Sequence, residues 1–189
     1  MKTIWTSLSA LLVICLTAAP GARNAQAQSP ETAQPQPRPA PCAELPAFRD
    51  FDFWIGDWEV RDGDGKVVGT NRISRQADGC VLVEEWKSRG GGSGVSVNYY
   101  DPSTAEWVQV WNGSGGTQLT IRGGLDDAGI MRLGGRLYYV GTQKTVRFRG
   151  LWEPLADGRV RQYFEQSADD GGTWQPWFEG FYSRRRGTQ

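Results

Sequence analysis

Ser96-Val97-Asn98-Tyr99-Tyr100-Asp101-Pro102 and Trp107-Val108-Gln109-Val110-Trp111-Asn112-Gly113 decide how this chain folds. In each run, every second residue shares a face. Ser96, Asn98 and Tyr100 lie on one face of the first, and Trp107, Gln109 and Trp111 on one face of the second. Each run stops at a turn signal, Asp101-Pro102 and Asn112-Gly113, which bends the chain back into a hairpin.

The same grammar extends in both directions. Asp62-Gly63-Asp64-Gly65, the Gly90 to Gly94 run, Asp126 to Gly129, Asp157-Gly158 and Asp170-Gly171-Gly172 punctuate alternating aromatic and β-branched segments. The spacing predicts strands over 51–61, 66–76, 80–88, 95–101, 107–112, 117–123, 130–140, 145–153, 159–167 and 173–184, with no substantial helix. Pro176 predicts a bulge or an edge in the last strand. Ten short strands joined by tight turns make an all-β, antiparallel up-and-down meander. Closure into a barrel removes its edges and leaves more room inside than eight strands would. A two-sheet sandwich is the competing architecture.

The chain has nine Trp and no His among its 189 residues. The missing imidazole removes the commonest general base, the commonest metal ligand and the usual protein ligand of haem iron. No cofactor and no metal are expected, and the chain reads first as a binding shell.

The N-terminus reads as an address. Lys2 precedes a short apolar stretch, and Ala25-Gln26-Ala27 fits a cleavage site, so residues 1–27 are expected to be a secretory signal peptide of an exported, periplasmic or secreted protein. Residues 28–47, with five prolines between Ser29 and Pro41, are expected to be a Pro-rich disordered linker. Residues 48–189 form the barrel domain. No transmembrane segment remains after cleavage. Loss of Lys2 and Arg23 leaves 19 basic against 21 acidic residues, a net charge of −2, which gives nucleic acid no electrostatic attraction. Cys42 and Cys80 are then the two remaining cysteines, in a compartment that permits a disulfide. A bond between them is expected, and two free thiols are the alternative.

Several pieces in order resemble a family. They are Phe53-Trp54-Ile55-Gly56-Asp57-Trp58, Gly79-Cys80-Val81-Leu82-Val83-Glu84, the two runs quoted above, and Arg161-Gln162 with Glu165, Ser167, Asp169 and Trp174. Together, over about residues 48–185, the chain resembles small exported bacterial lipocalin-like (calycin) proteins of largely unassigned function. The resemblance implies a calycin-type barrel in which Gly56 and Trp58 belong to a closed end, with Arg184 or Arg185 packed on Trp58. The helical lid of fatty-acid-binding barrels, the helix that follows the barrel in lipocalins proper, and the haem-ligating histidine of nitrobindin-type barrels are all missing here. Ser167-Ala168-Asp169-Asp170-Gly171-Gly172-Thr173-Trp174 matches the Asp-box of sialidase-like propellers. One copy cannot build a propeller, so Asp169, Gly171 and Trp174 are expected to shape a hairpin turn.

Three functions are compatible with this pattern. The first is a carrier or sensor for a small apolar or amphipathic molecule. Trp86, Asn98, Tyr100, Gln109, Trp111 and Arg149 would serve as walls and orienting groups, with Arg149 forking onto a carboxylate. The second is an enzyme with Glu84 and Glu165 facing each other as acid and base. The third is a carbohydrate- or protein-interaction module acting through surface Trp174 and Trp177. Glu84 and Arg149 pairing with each other inside a filled barrel is a further possibility. Leu82, Glu84 and Trp86 share a face of the third strand, Arg147, Arg149 and Leu151 one of the eighth, and Arg161, Tyr163 and Glu165 one of the ninth. A one-residue shift inverts any of these assignments. Nothing in the pattern specifies an oligomeric state.

Overall fold

The computed structural model describes residues 42–185. The expected signal peptide and the linker up to residue 41 lie outside the described residues. Ten strands run β1 (Gly56–Arg61), β2 (Val67–Gln76), β3 (Val81–Ser88), β4 (Ser93–Asp101), β5 (Glu106–Gly113), β6 (Thr117–Leu125), β7 (Met131–Tyr139), β8 (Lys144–Pro154), β9 (Val160–Ser167) and β10 (Gln175–Arg184). Each pairs antiparallel with its neighbours in sequence, and β1 pairs with β10 to close the barrel. The all-β up-and-down barrel is therefore present, and the sandwich is excluded.

Turn chemistry repeats around the rim. Asp62 Oδ1 accepts the amide N–H of Asp64 and of Lys66, and Gly65 supplies the positive φ of +81°. Asp126 Oδ1 does the same for Ala128 and Ile130, with Gly129 at +76°. A carboxylate that folds back on its own loop, with glycine in the left-handed position, holds a hairpin tightly.

Register fixes which side chains enter the barrel. Trp58 pairs with Asn71 and Arg184, Glu84 with Ser96, and Asn98 with Gln109, so these positions share the inner face. On β8 the inner phase is Val146, Phe148 and Trp152, and on β9 it is Val160, Gln162 and Phe164. The charged phase of both strands points outward. Arg149 pairs with Glu165 on the outer wall at 2.7 Å and lies 4.1 Å above the Trp174 ring. The physical reason is desolvation: burying this row of Arg and Glu would take several charges out of water, whereas the alternate row is apolar.

The first strand is shorter than its aromatic pattern suggests. Asp52–Trp54 forms a 3-10 turn, and the strand starts at Gly56. Phe51 and Trp54, three residues apart, stack with centroids at 4.9 Å and are fully buried. A spacing of three suits a 3-10 turn, where such side chains eclipse. The turn lies across one end of the barrel as a plug. Phe51 meets Trp107 and Trp152 edge-on, Trp107 Nε1 donates to the Ala47 carbonyl at 3.1 Å, and Arg75 pairs with Asp52. Within the stretch read from sequence as linker, Cys42–Glu44 forms one 3-10 turn and a second, Pro46–Arg49, begins, and Cys42 is disulfide-bonded to Cys80. At the same end Arg184 sits over the Trp58 ring at 4.4 Å, while Trp58 Nε1 donates to the Trp54 carbonyl at 2.9 Å. Arg185 instead gives its backbone N–H to the Asp57 carbonyl.

At Ser167–Trp174, Asp169 accepts the Ser167 hydroxyl at 2.6 Å and both the amide and hydroxyl of Thr173 at 2.8 Å, while the Gly171 amide donates to Ser167 Oγ. These bonds hold the Asp169 carboxyl well below the usual carboxylate range. The segment is a structural turn.

Candidate functional site

Opposite the plug the barrel holds a cavity of about 470 Å³, within the usual range for small-molecule sites. Its wall is built from Trp86 on β3, Trp111 on β5, Phe164 on β9, and Trp177 and Phe178 on β10. Four of these rings are seated on glycine, Phe164 over Gly150, Phe178 over Gly180 and the two indoles of β3 and β5. Trp86 lies over Gly69 and Trp111 over Gly94, where a Cβ would collide with the ring. With no side chain beneath, each indole lies along the wall and leaves the lumen open.

Trp177 enters through an irregularity. The register between β9 and β10 shifts between Pro176 and Phe178, so Trp177 is the extra residue of a bulge. Both Trp177 and Phe178 consequently face inward. Trp177 packs edge-on against Phe148 at 5.3 Å, and its Nε1 donates to the Tyr139 hydroxyl at 2.9 Å. Tyr139 in turn donates to Gln166 Oε1 at 2.6 Å. Pro176, which has no N–H for the ladder, marks the break. Trp177 is therefore a cavity wall, and Trp174 lies beneath Arg149, so the expected pair of free surface rings is not formed.

The floor is polar and centred on Glu84, which is only 3% exposed. Ser96 Oγ donates to Glu84 Oε2 at 2.6 Å, and Asn71 Nδ2 to Oε1 at 2.7 Å. Gln109 Nε2 reaches Oε2 at 3.4 Å and donates to Asn98 Oδ1 at 2.9 Å. Asn98 Nδ2 donates to Ser96 Oγ at 2.8 Å. From the far side, the Tyr182 hydroxyl donates to Gln162 Oε1 and accepts from Asn71 Nδ2 at 3.3 Å. No cation bonds to Glu84 among the described residues. Burial pushes its carboxyl up to about 7, against the lowering effect of the Ser96 and Asn71 bonds. Burial first, and the neighbouring Glu84 charge second, push the Tyr182 hydroxyl well above its ordinary value.

The residues read from sequence are thus divided. Trp86, Gln109 and Trp111 line the cavity. Asn98 stands behind Gln109 as its acceptor. Tyr100 is at the plug, edge-on to Phe48 at 5.2 Å. Arg149 is outside and reaches neither the cavity nor Glu84. Glu165 is outside as well, so the facing pair of carboxylates is not formed, and Glu84 stands alone at the floor. Sequence reading passed over Asn71, Gln162, Phe178 and Tyr182. The one available signal was the apolar phase Val160, Phe164 of β9, which carries Gln162 with it.

A pH dependence follows. The unfolded Glu84 has its ordinary value near 4.5, and the folded one is near 7. Between these limits the folded state holds a proton that the unfolded chain has lost. Its contribution to stability is full below about 4.5, declines as pH rises, and is gone above about 7. The difference is on the order of 3 kcal/mol. Urea unfolding at pH 5 and pH 8 is expected to show this loss in the native chain and not in Glu84→Gln. Equal pH slopes in the two proteins would refute it.

The fold and the cavity together define a ten-stranded antiparallel barrel with a lumen stopped at one end. No protein-family model matches the chain, and no curated protein matches it. Among the described residues no helix is long and apolar enough to cross a membrane, and no group of three or more His, Cys, Asp or Glu is placed to hold a metal ion.

Proposed function

We propose that this chain is an exported, lipocalin-like barrel that carries or senses a small, largely apolar molecule. The observation that carries the reading is the cavity itself, with aromatic walls around a buried, hydrogen-bonded polar floor. Apolar walls supply affinity through burial, while a few fixed polar groups set orientation. The Cys42–Cys80 bond agrees with an oxidising compartment.

Native mass spectrometry of the mature protein, purified gently from the exported fraction, tests this. A discrete added mass is expected, released on unfolding and diminished in Trp111→Ala. A bare mass that stays bare after exposure to a small-molecule extract would sink the carrier reading.

A further inference from the structure

Three acidic residues line the cavity, Asp62, Glu84 and Glu179, and no lysine or arginine does so among the described residues. Glu179 is already neutralised, because Arg161 bonds it at 2.7 Å. Asp62 is engaged with its own turn amides. Glu84 has hydrogen bonds but no opposite charge. The side chains turned toward it are Asn71 from β2, Ser96 and Asn98 from β4, Gln109 from β5, Gln162 from β9 and Tyr182 from β10. None is a cation, and Tyr182 is the one other titratable group in this set. Asn71 leaves its own Oδ1, beside Glu84, without a donor. The same cavity is walled by Trp86, Trp111 and Trp177, and indole ring faces attract positive charge.

We infer that the cavity takes an amphipathic organic cation, with an ammonium group seated on Glu84 and an apolar body against Trp86, Trp111 and Trp177. The inference rests on the carrier reading and names its ligand class. An ammonium brings the missing counter-charge and N–H donors to a cavity floor whose carboxylate has no cationic partner. An anion of equal size meets Glu84 with no lysine or arginine in the lining to offset the repulsion. A neutral alcohol fills the same walls but leaves Glu84 uncompensated whenever it is ionised. Burial raises the Glu84 carboxyl, and a bound cation lowers it again, so binding near neutrality releases a proton to solvent.

Calorimetric titration with octylammonium chloride, 1-octanol and sodium octanoate distinguishes the cases, since the three share one apolar chain. At pH 8 octylammonium is expected to bind about 10- to 100-fold tighter than octanol, with octanoate weakest. Glu84→Gln is expected to abolish the preference for the amine while keeping octanol binding, which also shows that the variant is folded. Repeating the amine titration at pH 7 in buffers of different ionisation enthalpy is expected to show release of about half a proton in the native chain and none in Glu84→Gln. Octanol or octanoate binding as tightly as the amine, or an amine preference that survives Glu84→Gln, would overturn the inference and leave the carrier reading standing. Failure of all three to bind would remove both.

Discussion

Replacing Cys42 and Cys80 by serine is expected to destabilise the barrel by about 4 kcal/mol. The bond joins residues 38 positions apart, and opening a loop of that size restores this much chain entropy to the unfolded state in the loop-closure model. The effect should reach the site, because Cys80 directly precedes β3, the strand that carries Glu84 and Trp86. Cys42 begins the segment that leads into the plug. Urea unfolding of the oxidised native chain against the double variant measures the loss. A difference below about 1 kcal/mol would mean that the loop model fails here and that aromatic packing alone anchors the segment.

The second large effect belongs to Trp152. It is fully buried on β8, 5.1 Å from both Phe51 and Phe164 and 5.5 Å from Trp54. Trp152→Ala empties the space between the plug and the cavity wall and is expected to cost about 3–5 kcal/mol. Trp152→Phe is the informative control. The indole Nε1 has no hydrogen-bond partner among the described residues, so removing it breaks no bond. Phenylalanine should therefore cost much less than alanine. Comparable losses for the two would place the stabilisation in indole volume and not in the presence of a ring.

These two predictions depend on a plug that was partly hidden in the sequence. The strands were legible because alternation and Asp-Gly turns both follow from backbone geometry, and each reports the other's boundaries. The disulfide was legible because two cysteines remained after the expected cleavage. Alternation grouped the residues that share a face of β3, β4 and β5 without saying which face turns inward, the Asp169 turn was legible from its motif, and the place of Trp58 came from the family resemblance. The phase of β8 and β9 was not legible. Arg161-Gln162-Tyr163-Phe164-Glu165 puts a polar and an aromatic residue on each face, and only pairing with both neighbours decides between them. The bulge at Trp177 was signalled by Pro176, but its result, two successive rings facing inward, depends on the register of β9 with β10. Phe51 to Trp54 looked like strand because aromatics favour strands, although their spacing of three fits a 3-10 turn better. The polar floor was least legible of all. Asn71 and Tyr182 meet across 111 positions, a contact that exists only once β1 and β10 have closed the barrel.

On the proposed ligand class, Glu84 connects stability to binding. Above neutral pH the empty barrel carries an uncompensated buried charge, and that is the condition under which a cation has most to offer. A protein of this kind is most stable where it binds such a ligand least, and gains most from the ligand where it is least stable by itself.

The glycines beneath Trp86 and Trp111 carry a last consequence. The bore of the lumen is set from behind, by residues that would never touch an occupant. A single methyl group at position 69 or 94 would tilt an indole off the wall and narrow the chamber without replacing any residue a guest meets. On the proposed binding, selectivity by size would rest on Gly69 and Gly94 and selectivity by charge on Glu84, at different positions of the chain.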